Sequence, residues 1–288
     1  EEDVRRRDFT VNGLFYDIKT FSVIDYVGGL RDLDRRVLRS IGDPDIRFRE
    51  DPVRMLRAAR LSARLGLTMD SGVRRAIRRH ASGIGKAAVP RVLEEIFKLF
   101  GFAAAAPAFR QLWETGLLAV LMPEIEAHID ASGGERAPFW RYLRGLDELA
   151  RRQEAEPANG LRLAALYCPL FLAQAAGAPQ RDGGPRSRWF RQAAEDVLQP
   201  FISRFHPPKA TVFHALHLLE TQPRLEAPPS PGRRGRPGRP EFLADALALA
   251  GLRLDAEEKP VLVLEAWARR LPPAESRSLP ATAEESGG

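Results

Sequence analysis

The chain has 288 residues, 44% of them apolar, with 44 Lys and Arg against 38 Asp and Glu, for a formal charge of +6. This length fits two domains or one elongated helical array, and the basic excess favours a polyanionic partner. A single cysteine, Cys168, excludes an internal disulfide and fits a reducing, cytoplasmic compartment.

The chain opens Glu1-Glu2-Asp3, with no signal-peptide pattern and no initiator methionine. Motif-like residues follow at once, so an N-terminal region is expected to be missing. From Asp8 to Leu38 the pattern is mixed α/β. Phe21 to Tyr26 alternates as a strand, Gly28-Gly29 marks a turn, Leu30 to Leu33 starts a short helix, and Val37 to Ile41 reads as another strand. Beyond Pro44 the pattern contains no convincing strand.

Asp51-Pro52 predicts a helix start, with Asp as N-cap and Pro at the first helical position; Gly66 predicts its end. At ~100° per residue, Arg54, Arg57, Arg60 and Arg64 fall within roughly a third of that helix's circumference. Met55, Leu56, Ala59 and Ala63 lie opposite. Only Arg54 has acids within pairing distance along the helix, Glu50 and Asp51. The other three either require an outside anion, such as a phosphate chain or RNA backbone, or form a solvated face or pair with acids from elsewhere in the fold. On the stripe alone, the second alternative is favoured.

Further helices are predicted at Val73–His80 (carrying Arg74, Arg75, Arg78 and Arg79), Arg91–Phe100, Pro107–Leu121, Phe139–Arg152, Leu161–Ala175, Trp189–Phe205, Lys209–Glu220, Glu241–Leu252 and Pro260–Leu271. Gly177–Pro185 and the basic Pro223–Pro240 stretch read as loops, and Pro272–Gly288 has the composition of a disordered tail. The longest apolar run, Leu161 to Ala176, carries Arg162 and Pro169 and is too short to span a bilayer. Cys168 sits among small and apolar residues and reads as an inert buried thiol. His214, His217 and Glu220 are spaced i, i+3, i+6, but nothing near them completes a metal site, so packing histidines are the favoured reading. Gly28-Gly29 lacks the longer glycine pattern of a phosphate loop. In the second loop, Arg233, Arg234, Arg236 and Arg239 form either an RNA-contacting arm or a solvated linker.

Arg6-Arg7-Asp8-Phe9-Thr10-Val11-Asn12 resembles the RRDFTxN motif of class II nucleotidyltransferases. Asp25-Tyr26-Val27-Gly28-Gly29-Leu30 with Asp32-Leu33 resembles their next motif, and Arg49-Glu50-Asp51-Pro52-Val53-Arg54-Met55-Leu56-Arg57 their nucleotide-selecting one. All three stand in family order. The basic loop and the PEFLADALALAGLR segment resemble the C-terminal arm of the bacterial poly(A) polymerase branch, a close relative of the CCA-adding enzymes.

The resemblance implies a mostly α fold: the C-terminal remnant of an α/β head (1–42), a neck that selects the nucleotide and binds RNA (43–120), a helical body (121–222), an arm (223–271) and the tail. It implies template-independent addition of AMP from ATP to RNA 3′ ends. The alternatives are CCA addition to tRNA, or a non-catalytic helical RNA-binding module. Asp8 is implied as an active-site carboxylate, with Arg6, Arg7, Asn12, Asp51, Arg54 and Arg57 at the nucleotide. Arg60, Arg64, Arg74, Arg78, Arg233, Arg234, Arg236 and Arg239 are implied at RNA. Mg²⁺ is the implied cofactor, but the family's paired Asp-x-Asp ligands have no counterpart in this chain, so the metal set is expected in the missing head and the chain alone is expected to be inactive. RNA and ATP are the implied partners, with no membrane.

Overall fold

The computed structural model describes residues 2–153, 155–177, 186–229 and 239–271. Residues 178–185 of the Gly/Pro loop, the loop arginines Arg233, Arg234 and Arg236, and the tail from 272 lie outside the described residues. The chain divides into two compact units, 1–126 and 127–288. As the family resemblance implies, it is mostly helical.

In the first unit, α1 (Glu2–Arg6) leads through a tight 3-10 turn to a hairpin of β1 (Leu14–Asp17) and β2 (Ser22–Asp25). The pair is antiparallel, with Leu14 opposite Asp25. α2 (Gly29–Asp34) and β3 (Val37–Leu38) follow, where a short helix and a strand are predicted. The turn between hairpin and α2 is built by Asp25. Its Oδ1 accepts from the backbone N–H groups of Val27, Gly28 and Gly29, and its Oδ2 from Leu30. Partial burial pushes this carboxyl up, but the backbone donors outweigh it and hold it below the usual carboxylate value.

Asp43 caps α3 (Pro44–Glu50), its Oδ1 accepting from the Asp45 N–H at 2.8 Å. Next comes α4 (Val53–Leu65), which ends at Gly66 with φ +62°, the left-handed C′ residue expected there. β4 (Thr68–Met69) then pairs parallel with β3, Val37 opposite Thr68 and Leu38 opposite Met69. This strand corrects the reading that none follows Pro44. Two residues are too few to show alternation, and the partner strand lies on the far side of α3 and α4.

α5 (Ser71–His80) starts on Asp70, whose Oδ1 accepts from the Gly72 N–H. α4 buries Val53, Met55, Leu56, Ala58 and Ala59 against α6 (Val89–Lys98) and α7 (Ala105–Thr115). Of these, Val53, Met55 and Leu56 each contribute roughly 1.5–3 kcal/mol when taken from water. The single helix predicted over Pro107–Leu121 is instead α7 followed by α8 (Leu117–Leu121). Gly116, at φ +76°, breaks them. Pro123 opens α9 (Pro123–Ala131), a helix absent from the sequence reading.

The second unit contains α10 (Phe139–Gln153), α11 (Asn159–Ala175), α12 (Arg186–Phe205), α13 (Lys209–Thr221), α14 (Leu243–Ala256) and α15 (Leu262–Ala268). α11 is its centre, buried without interruption from Gly160 to Pro169. A Cβ at Gly160 would stand 2.4 Å from His214 Nδ1, so the glycine is what lets α11 and α13 approach. His214 stacks on Phe242 at 4.4 Å, and His217 Nε2 accepts from the Arg239 N–H at 3.2 Å. Both histidines therefore pack within the unit. Cys168 is fully buried, and burial pushes its thiol up to about 12, which makes it inert. Among the described residues, no helix is long and apolar enough to cross a membrane.

Two glycines separate steric from conformational cost. A Cβ at Gly29 would lie 2.3 Å from the Thr10 carbonyl oxygen, which already accepts from the Gly13 N–H. A Cβ at Gly42 meets nothing within 4 Å, and only its φ of +79° opposes a side chain. Gly42→Ala should cost about 1 kcal/mol, and Gly29→Ala nearer 3 kcal/mol because backbone must move. Urea unfolding midpoints of the two variants check the order.

Candidate functional site

In the first unit, a cleft of about 600 Å³ opens beside α4. Its walls bring together Arg6, Arg7, Asp8, Asn12, Asp51, Arg54, Arg57, Arg60 and Arg64, all singled out in the sequence, together with Leu61 and Arg91. Seven guanidinium groups thus face two carboxylates.

The start of α4 sets one wall. Asp51 sits at the C-cap of α3, one residue earlier than a strict N-cap of α4, yet its Oδ1 still accepts from the Val53 N–H at 3.2 Å. Its Oδ2 accepts from Arg91 of α6 at 2.7 Å. Arg54 donates through one terminal nitrogen to Glu50 and to the Arg47 carbonyl, both at 3.0 Å. Its acidic partner is therefore Glu50, not Asp51.

The remaining arginines of the stripe have partners from elsewhere in the fold, which corrects the alternative of unpaired cations. Arg57 Nε donates to Asp8 Oδ2 at 2.6 Å, and Arg60 Nε to Glu95 Oε2 at 2.9 Å. Arg64 lies over the Phe102 ring, 3.3 Å from its centroid. These partners are 35 to 49 positions away for the two ion pairs, beyond any helical spacing. Both pairs engage Nε alone. Among the described residues, the terminal amino groups of Arg57 and Arg60 make no hydrogen bond to protein, so each fork retains donors for a ligand.

The opposite wall comes from the Arg6–Asn12 segment. Arg7 donates to the Asn12 carbonyl at 2.6 Å and to Asp3 at 3.1 Å, and lies 4.5 Å from the Phe15 ring centroid. Asp8 is buried. Its Oδ1 accepts from the Phe9 N–H and from Asn12 Nδ2, each at 2.9 Å. Burial works to raise this carboxyl, but Asn12, Arg57 and the Phe9 N–H together hold it below the usual carboxylate value.

Arg47, which the motifs pass over, fixes the two walls. It donates to the carbonyls of Arg6 (2.8 Å) and Arg7 (2.6 Å) and to Glu50 (2.8 Å). Arg47 and Arg91 are equally illegible in the sequence, because each acts through a group distant along the chain.

Other predicted residues lie elsewhere. Arg74 and Arg78 both reach Glu114 of α7, Arg74 at its carboxylate (3.3 Å) and Arg78 at its carbonyl (3.1 Å). Arg239 belongs to the second unit, over Phe213 at 4.8 Å and beside Glu241.

The residues present do not fit a Mg²⁺ site. Among the described residues, no group of three or more His, Cys, Asp or Glu could hold a metal ion. Both oxygens of Asp8 and of Asp51 are engaged, and each carboxylate is already paired with an arginine.

Residues 1–39 match the family model described as the poly A polymerase head domain. Residues 66–129 match the model described as the probable RNA and SrmB-binding site of polymerase A. Poly(A) polymerase I of Escherichia coli O6:H1 is 32% identical over 231 residues, covering 78% of this chain and 49% of that protein. The CCA-adding enzyme of Geobacillus stearothermophilus is 40% identical over 121 residues, covering 42% of this chain and 30% of that enzyme. The crystal structure of Bacillus stearothermophilus CCA-adding enzyme in complex with CTP superposes with a TM-score of 0.60 at 28% identity, covering 93% of this chain and 58% of that one. The chain is a homologue of these nucleotidyltransferases, and it spans about half the length of the curated poly(A) polymerases it matches.

The Asp8–Arg57 pair makes a pH-dependent contribution whose sign is fixed. A carboxyl held below its unfolded value stabilises the fold above the ordinary carboxylate range, near pH 4, and loses that contribution as pH falls through the depressed value. Asp8→Asn should therefore flatten the acid side of the stability profile. Arg57→Ala, which leaves Asp8 buried without its cation, should cost about 1–3 kcal/mol at neutral pH. Urea unfolding of wild type and both variants between neutral pH and pH 3 checks both expectations.

Proposed function

We propose that this chain contributes the nucleotide-selecting and RNA-binding parts of a template-independent RNA nucleotidyltransferase that adds AMP from ATP to RNA 3′ ends. The observation that carries the reading is the cleft, which among the described residues is lined by seven arginines and two carboxylates in a volume able to take a small anion. A triphosphate is the anion these forks suit, because planar guanidinium groups engage phosphate oxygens in pairs.

On this reading Arg6 and Arg7 hold phosphates at one wall, and the uncommitted amino groups of Arg57 and Arg60 reach them from the other. Asp51, whose Oδ2 keeps a lone pair beyond the Arg91 bond, offers an acceptor, and Arg54 beside it a donor, to the edge of the base. Adenine presents an exocyclic amine next to a ring nitrogen, as cytosine does, so such a pair selects these two bases over guanine and uracil. Asp8 acts by holding Arg57 and Asn12 in place. Residues 1–42 would complete a head, 43–120 would select the nucleotide and bind RNA, 121–222 would form a body and 223–271 an arm. The share of the reaction derived for this chain is binding and orientation. In support of polyadenylation, the alignment to poly(A) polymerase I of Escherichia coli O6:H1 runs over 78% of the chain and that to the CCA-adding enzyme of Geobacillus stearothermophilus over 42%, while a CCA-adding enzyme structure superposes on 93% of it.

Equilibrium binding of each of the four nucleoside triphosphates to the chain tests the reading. ATP should bind more tightly than CTP, GTP or UTP. Arg7→Ala should weaken all four, and Arg54→Ala should erase about 1–3 kcal/mol of the preference for ATP over GTP and UTP while leaving RNA affinity intact. Equal binding of all four by wild type, or an unchanged preference in Arg54→Ala, would remove the base-selecting role.

The arginine loop supplies a second test. Changing Arg233, Arg234 and Arg236 together to Ala should reduce the salt slope of generic RNA binding by about one unit for each phosphate that is no longer neutralised. An identical slope in the triple variant would make the loop a linker only.

A further inference from the structure

Phe102 is placed against the usual logic of burial. Its neighbours Phe100 and Ala104 are buried, and Phe100 packs on Phe109 with ring centroids 5.1 Å apart. Phe102, in the Gly101–Ala103 turn between α6 and α7, instead has 64% of its surface exposed.

The backbone there is also unusual. Phe102 lies at φ +61°, ψ +29°, and Ala103 follows at φ +50°. Consecutive left-handed residues that are not glycine are uncommon and persist only where their surroundings enforce them. Here buried residues anchor the turn on both sides, and the outcome is a ring presented to solvent.

The ring is also oriented. The Arg64 guanidinium lies over it at 3.3 Å from the centroid, and Arg64 is itself a wall of the arginine-lined cleft. An exposed aromatic face braced by a cation that itself lines a cationic cleft is the arrangement on which unstacked bases of single-stranded nucleic acid settle. Stacking of this kind accepts any base, because every base has a π-face. A single ring is too small to anchor a protein partner.

We propose that Phe102, braced by Arg64, is a stacking platform for the base at the 3′ end of single-stranded RNA. The proposal rests on the reading of the cleft as a nucleotide site, because it places the RNA terminus next to the bound triphosphate. It assigns to this turn a substrate contact that none of the three sequence motifs contains.

The test uses the full chain and a labelled oligoadenylate, with its 3′-terminal nucleotide either intact or abasic, read by fluorescence anisotropy. ATP binding is measured separately on the same proteins. Phe102→Ala and Phe102→Leu should each lose about 5- to 100-fold in affinity for the intact oligomer, the equivalent of one stacked base. Phe102→Trp should retain affinity. Leu keeps apolar bulk without a flat π-face, so it separates stacking from simple hydrophobic contact. The abasic oligomer should bind wild type and Phe102→Ala alike. ATP affinity and urea midpoints should not change, because the ring is exposed. Wild-type affinity for the intact oligomer in Phe102→Leu would overturn the proposal. So would a loss of ATP rather than RNA binding in Phe102→Ala, which would assign the ring to the incoming nucleotide. Failure of the nucleotide reading is seen separately, as absence of ATP binding by wild type.

Discussion

The geometry of the cleft depends on one half-buried ion pair, Arg57 Nε to the buried Asp8 Oδ2 at 2.6 Å. Asp8 is fixed on its other oxygen by Asn12 and the Phe9 N–H, and its carbonyl accepts from the Ile41 N–H at 3.0 Å. The segment that carries Arg6 and Arg7 is thereby tied both to the strand region and to α4. Arg47 adds a second tie, from α3 to the carbonyls of Arg6 and Arg7. Remove the first tie and Asp8 is a buried charge without its cation, a state costlier than never having had the pair. The two walls are therefore held by charged groups whose loss carries a penalty, and the cleft need not be ordered by its ligand.

Much of this is legible locally. Gly66 ends α4 because a C′ residue must turn left-handed, and Asp51 accepts from the Val53 N–H because the first turn of a helix has donors to satisfy. The apolar face of α4 and the strand at Ser22–Asp25 follow from periodicity. What the local pattern misses is what depends on distant partners. β4 exists because Thr68 and Met69 meet Val37 and Leu38, and nothing within those two residues announces it. Gly116 breaks α7 from α8 inside an apolar run that reads as one helix. Glu95, Arg91 and Arg47 each engage a partner 35 or more positions away.

The same distinction explains the turn between the hairpin and α2. Gly28-Gly29 precedes a helix, as a phosphate-binding loop would, and its backbone N–H groups do converge. They converge on Asp25, whose two oxygens take four of them. An internal carboxylate thus occupies the place of an anion, and the glycines serve geometry: Gly28 supplies a φ of +79°, and Gly29 admits the Thr10 carbonyl. A glycine pair before a helix identifies a concave run of donors, and only the fold says which acceptor fills it.

The arginine stripe shows why pairing does not disarm a binding surface. Read along the helix, Arg57, Arg60 and Arg64 lack acids; in the fold each has a partner. If pairing consumed the cations, the stripe would be purely structural. It does not, because a guanidinium has five donors and the Asp8 and Glu95 carboxylates each engage Nε, the one nearest the stem. An arginine held at Nε has already given up most of its side-chain freedom, so its terminal amino groups meet an anion with less entropy left to lose. The acids also reduce the mutual repulsion of seven clustered cations without cancelling it: among the described residues Asp3, Asp8, Glu50, Asp51 and Glu95 pair with five of the seven. The internal pairs are thus the means by which a crowded cationic cleft keeps a fixed shape while retaining a net attraction for phosphate.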